Sequence, residues 1–370
     1  MNQTFIPNIA ASVVSVQTVL ACSDLNLSLA FLTQQLGFKV RMIMPSDAPS
    51  VAVLCAYGCN LRLEQVAPKD VMPQHLRLLC DLAKLPIGTP PILLGPDALV
   101  IELIDANPPL DVPEAQQEFV LTRFSDDASW GMGRAGMLYR DLIPSRLGGR
   151  FVASHLRIPN AGPVADYVHF HRVRFQMIYC KTGWVRLVYE DQGAPFILKA
   201  GDCVLQPPEI RHRVLEASAG LEVIEIGCPA IHETCGDPEL NLPTDFCHPE
   251  RLFKEQRFVH HSAQSATWYT ASQQGFEMRD TGIAEATGGL ANVTVLRSLG
   301  STPLGAQLIS PVDLYEGEFL FFFVLEGELL IRSPELGSHN LQAGDSCVLP
   351  SGIAYALEAT DHVEVLQVAL

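Results

Sequence analysis

Hydrophobic and polar positions along the chain fall into two regimes. The first covers residues 13–66 and predicts a β-α-β-β-β unit. Residues 16–22 form a β-branched apolar run, read as a strand. Ser23 or Asp24 can cap a helix, and residues 25–36 carry Leu27, Ala30 and Phe31 near helical spacing. Gly37 suits the position that ends that helix. Residues 39–44, 50–56 and 60–66 read as three further strands, separated by turns at Pro45-Ser46-Asp47 and Tyr57-Gly58. Residues 75–85 have the spacing of a short helix, residues 98–104 read as a strand, and residues 107–113 form a Pro-rich link. The stretch 67–114 is either the remnant of a second such unit or a lid on the first.

From residue 117 the pattern changes to short apolar strands with Gly, Pro and Asp turns, and it occurs twice. Gln117-Glu118-Phe119-Val120 is echoed by Gln256-Arg257-Phe258-Val259, and Trp130 by Trp268. Arg140-Asp141 is echoed by Arg279-Asp280, Gly148-Gly149 by Gly288-Gly289, and Gly183 by Gly327. Gly201-Asp202 returns as Gly344-Asp345 and Pro207 as Pro350. The offset stays between 138 and 144, so the second half duplicates the first. The fold class read from this is mainly β: two antiparallel barrels in tandem, preceded by a small α+β domain. The domain boundaries are 1–114 for the βαβββ domain, 115–229 for barrel one, 230–253 for a Pro-rich linker and 254–370 for barrel two. The Trp and Arg-Asp anchors read as structural contacts that pack each barrel on its neighbour.

Chemistry concentrates in the first repeat. His169 and His171 are one residue apart, so they share a strand face. Gln176 opens the next strand, and His212 returns 41 positions after His171. Three imidazoles and an amide oxygen inside one barrel form a ligand set for a divalent transition metal: Fe(II), Mn(II), Ni(II), Co(II) or Zn(II). The same positions in the second repeat are Asp313, Tyr315, Leu320 and Tyr355. None is histidine, so one metal per chain is expected, in the first barrel. The apolar run 320–325 reads as a fully buried strand. The second barrel is expected to serve folding, the domain interface or a small apolar pocket. Tyr167 shares parity with His169 and His171 and so is expected to face the cavity. His155 and Arg157, on the preceding strand, suit a carboxylate substrate. Tyr167, His155 and Arg157 are the candidate catalytic residues; the plainer reading of each is an interface or solvated side chain. His232, Cys235, Cys247 and His248 are of zinc-binding type, but their spacing matches no known zinc site.

The first-barrel pattern resembles the cupin superfamily, whose motifs run G-x5-H-x-H-x4-E-x6-G and G-x5-P-x-G-x2-H-x3-N. His169, His171 and Gly183 match the first, with Gln176 in place of glutamate and Pro163 at the leading glycine. Gly201, Pro207 and His212 match the second, with Glu209 and Glu216 at its second glycine and its asparagine. The resemblance implies a bicupin whose metal serves a dioxygenase on a small organic acid, phenol or diketone. The alternatives are a cupin isomerase or lyase at the same metal, or a non-catalytic metabolite- or metal-binding protein. One fold hosts all three. The segment from Ser23-Asp24-Leu25 to Leu36-Gly37-Phe38 resembles the vicinal-oxygen-chelate family of glyoxalase and bleomycin-resistance proteins. That family's metal histidine and glutamate positions fall on Gln17 and Glu64 here, and its full site needs two such modules where only one is clear, which implies a structural or interface domain.

Composition narrows the partners. The chain has 370 residues, 48% apolar and 18% charged, with a net charge of −16. Such a charge repels nucleic acid and anionic membranes. The expected partner is a small-molecule substrate, with a homodimer as the expected self-association. No run of about 18 apolar residues predicts a membrane span. Residues 1–11 lack the basic start of a secretory signal, and the ten cysteines include no C-x-x-C pair. A cytoplasmic protein with reduced cysteines is the expectation.

Overall fold

The structure is a computed structural model and describes residues 10–125, 130–299, 313–359 and 361–370. Residues 1–9, most of the stretch read for a secretory signal, lie outside it. The chain divides into two compact units, Met1–Pro109 and Leu110–Leu370.

In the first unit the expected β-α-β-β-β order is present. The strands are Thr18–Cys22, Lys39–Met44, Val51–Ala56 and Cys59–Gln65, with helix Leu25–Ala30 continuing as a π-turn over Phe31–Gln35. Asp24 caps the helix by accepting from Leu27 N at 3.0 Å, and Gly37 leaves it at φ +73°. The first strand pairs with the fourth in parallel, and the fourth pairs with the third antiparallel. Leu20, Leu32, Leu54 and Leu61 fill the core beneath. Residues 75–85 correct the helical expectation. His75–Cys80 is a strand, parallel to Val100–Asp105, which also pairs antiparallel with Ile92–Leu94. Its exposure alternates residue by residue, a period of two that the leucine-rich spacing also accommodated. The three strands thus repeat the parallel-then-antiparallel arrangement of the first, fourth and third.

The second unit holds two antiparallel barrels. In the first, Phe175–Thr182 and Leu221–Cys228 pair along their length, and Val152–Ile158 flanks them. The opposing sheet carries His169–His171, Trp184–Tyr189 and His212–Ala217. In the second barrel, Leu320–Ser333 is 14 residues long and runs through both sheets. Its alternation settles why the run is apolar on both faces. Leu320, Phe322 and Val324 fill the second barrel's interior, whereas Phe321 and Phe323 join a core shared with Phe151, Phe175 and Ile224 of the first. Phe151 stacks on Phe319 at 4.2 Å across that shared core.

The repeats exchange strands. Val120–Thr122, at the start of the first half, pairs with Ser346–Leu349 of the second barrel. Val259–His261, at the start of the second half, pairs with Cys203–Leu205 of the first. The echoed anchors hold these strands. Asp345 accepts from Phe124 N at 2.7 Å, and Asp202 accepts from Ala263 N at 2.8 Å. Gln117 donates to the carbonyl of Glu318, and Gln256 to that of Arg174, while Glu318 pairs with Arg174 and Arg150. The interval 230–253 is not a plain linker either: Thr234–Gly236 is an edge strand paired with His169–His171.

Candidate metal centre

His169 and His212 face each other directly across two paired strands, and His171 follows on the same face as His169. One ligand atom from each of the three lies within 4.8 Å of the others. All three rings are buried. Each Nδ1 has its own partner: the carbonyl of Tyr167 at 2.7 Å for His169, the carbonyl of Ile210 at 3.0 Å for His212, and the Thr234 hydroxyl at 3.1 Å for His171. A carbonyl only accepts, so His169 and His212 carry their proton on Nδ1 and leave Nε2 with a lone pair. Donors confirm that tautomer. Arg134 Nη2 stands 2.9 Å from His169 Nε2, and Gln206 Nε2 stands 3.4 Å from His212 Nε2. Burial pushes all three imidazoles below their ordinary range, His212 to about 3, so they are neutral at pH 7. Three neutral imidazoles, each held by an outer partner and two of them with tautomers fixed by carbonyls, match the donor set of a transition-metal site. Among the described residues no other group of histidine, cysteine and carboxylate side chains comes together in this way. The zinc grouping of His232, Cys235, Cys247 and His248 is not formed.

The histidines line a cavity of about 360 Å³. Its walls are largely apolar, with Leu156, Ile178, Leu187 and Val223. Its polar groups include Arg134, Arg146, Tyr139, Glu225, His232 and Thr234. Burial, with the Glu225 charge nearby, pushes the Tyr139 phenol up to about 12. Burial also raises the Glu225 carboxyl above its usual range, against the opposing hydrogen bond from Gln176. Asp166, buried behind the site, pairs with Arg134 and accepts from Val214 N at 2.9 Å, so the guanidinium is anchored.

Four sequence expectations are corrected by this geometry. Gln176 is buried but does not line the cavity. Tyr189 donates to Gln206 Oε1 at 2.6 Å, Gln206 Nε2 donates to Gln176 Oε1 at 3.2 Å, and Gln176 Nε2 donates to Glu225 at 2.6 Å. The amide standing against the histidines is therefore that of Gln206, and Gln176 orients it from behind. Tyr167 is half exposed and lies before the strand begins, so the parity argument does not reach it. Its contribution is the backbone carbonyl on His169. His155 and Arg157 sit on the face of Val152–Ile158 opposite to the cavity-lining Ser154, Leu156 and Ile158. They hydrogen-bond Glu222 instead.

Sequence reasoning missed Arg134, Gln206, Glu225 and Thr234. Glu225 left a readable sign, a carboxylate inside the apolar strand 221–228. Arg134 left none, because it arrives from a turn before the barrel.

No protein-family model and no curated protein matches the sequence. Solved structures do match. Salicylate 1,2-dioxygenase from Pseudaminobacter salicylatoxidans aligns over 70% of this chain and 86% of its own, at 15% identity and a TM-score of 0.50. Oxalate decarboxylase from Lactobacillus farciminis aligns over 70% and 86%, at 14% identity and a TM-score of 0.50. At such identity the likeness is one of fold: the chain is mainly β and carries tandem cupin barrels.

Proposed function

We propose that the chain is a metal-dependent enzyme that oxidises a small organic acid in its first barrel, by dioxygenase chemistry. The observation that carries this reading is the convergence of His169, His171 and His212, each ring held from outside at Nδ1, on a mostly apolar cavity. Fe(II), Mn(II), Co(II), Ni(II) and Zn(II) all suit three imidazoles. Such an ion supplies Lewis acidity and, when redox-active, electrons for dioxygen. The chain's own groups do the rest. Arg134, held by Asp166, and Arg146 present cations for a substrate carboxylate. Leu156, Ile178, Leu187 and Val223 pack the organic body and exclude water.

A second reading, isomerase or lyase chemistry at the same centre, rests on Glu225. Its carboxyl lies in the cavity, and burial raises its affinity for a proton, which suits a proton donor.

Metal analysis of purified protein tests the shared premise. About one ion per chain is expected, with His212→Ala falling to near zero; two ions per chain, or an unchanged His212→Ala, refutes the site. Oxygen uptake by Fe(II)-loaded protein then separates the readings. The panel is hydroxylated aromatic acids, oxalate and diketones, with salicylate first because the salicylate dioxygenase shares the fold. Turnover without oxygen uptake selects isomerase or lyase chemistry.

A further inference from the structure

The second barrel keeps a cavity where the first has its histidines. Asp313 pairs with Tyr355 just as His169 pairs with His212. Phe322 pairs with Gln367 as Ile178 pairs with Glu225, and Asn292 pairs with Ala369 as Val152 pairs with Gly227. Gln367 is thus the counterpart of Glu225, and Asn292 that of Val152. The cavity is about 310 Å³, and Gln273, Asn292, Asp313, Tyr315, Tyr355 and Gln367 line it. This corrects the expectation of a small apolar pocket.

The chemistry of the lining selects a ligand class. No lysine, arginine or histidine is among its described lining residues, so it offers neither a counter-charge for an anion nor imidazole for a metal. It offers side-chain amides, which donate and accept, phenol hydroxyls, and one carboxyl. Gln273 hydrogen-bonds both Asp313 and Tyr355, which ties the two former ligand positions together. Gln367 Oε1 is buried and has no partner among the described residues. In the first barrel Gln176 donates to the corresponding Glu225; here the Gln176 position is Leu320, which has no donor. A buried amide oxygen left unpaired is unfavourable, and a ligand hydroxyl would satisfy it.

We propose that this second cavity binds an uncharged polyhydroxylated small molecule, a polyol or monosaccharide, without a metal. The site is independent of the chemistry assigned to the first barrel. Saturation-transfer NMR on the full chain tests it, with myo-inositol, D-glucose and glycerol as probes and with putrescine as the charged control. Transfer to at least one neutral probe is expected, with none to putrescine. It should persist in His212→Ala, vanish in Gln367→Leu and weaken at least tenfold in Asn292→Val. Asn292 is exposed, so its replacement leaves folding intact. No transfer to any neutral probe overturns the proposal. So does transfer that favours the charged control, is lost in His212→Ala, or survives both cavity substitutions unchanged.

Discussion

At His171 the partner of Nδ1 is a hydroxyl, whereas His169 and His212 rely on backbone carbonyls. It is the ligand whose orientation one side-chain substitution can release. Thr234→Val keeps the volume and removes the hydrogen bond. Metal affinity is expected to fall about 10- to 100-fold, the usual effect of losing an outer partner, with the thermal midpoint of the metal-free protein little changed. Isothermal titration with the metal checks this; an unaltered affinity would show that packing alone orients His171. The three histidines were legible in the sequence because strand alternation puts His169 and His171 on one face and the cupin-like motif adds His212. Gln176 and Tyr167 were not. Whether Gln176 presents its oxygen to the cavity depends on Gln206, which lies 30 residues away, just past the strand Cys203–Leu205. Whether parity extends to Tyr167 depends on where the strand begins, at His169.

Among the elements, Val120–Thr122 belongs in sequence to the first repeat and in space to the second barrel. Asp345 fastens the chain just beyond it: its carboxylate, 5% exposed, accepts from Phe124 N and Gln342 N and pairs with Arg123. Asp345→Ala leaves those donors without their acceptor and is expected to destabilise the unit by about 2–4 kcal/mol. Metal stoichiometry should stay at one, because the histidines lie in the other barrel. Urea denaturation with metal analysis reads both quantities, and a loss under 1 kcal/mol would mean that the exchanged strand holds without this anchor. The repeat itself was plain from the echoed residues, and so was the inference that they are structural. Strand exchange was not, since periodicity says that 120–122 is a strand and nothing about which sheet receives it. The same gap explains 75–85. A short leucine-rich segment satisfies helical and strand spacing alike, and only its pairing with Val100–Asp105 decides.

Across the whole two-barrel unit, the contact between halves carries a buried polar cluster that fixes how stability responds to acid. His155 is edge-on to Phe323 of the second barrel at 5.7 Å, and Arg140 reaches the carbonyl of Gly344 at 2.8 Å. His155 and Glu222 are 3.0 Å apart, close enough for an ion pair, yet the imidazole is neutral. Arg140 donates to its Nδ1 at 3.2 Å, so its single proton sits on Nε2 and goes to Glu222. Burial holds His155 below the ordinary imidazole range despite Glu222. The hydrogen bond from His155, joined by Lys181 and Arg157, holds the Glu222 carboxyl far below the usual carboxylate range. Both shifts act in one direction. The unfolded chain takes up a proton on His155 near pH 6.5 and on Glu222 near pH 4.5, while the folded chain refuses both until lower pH. Stability is therefore full above about pH 6.5 and declines on acidification, by up to about 1.4 kcal/mol per pH unit for each such group. His155→Gln substitutes an amide that can accept from Arg140 and donate to Glu222 without titrating. Its denaturation midpoint is expected to lie below the parent's at pH 7.5 but to fall less between pH 6.5 and 5. Parallel curves for the two proteins over that interval would place the acid sensitivity elsewhere, since the metal-site imidazoles, also held neutral by burial, are common to both.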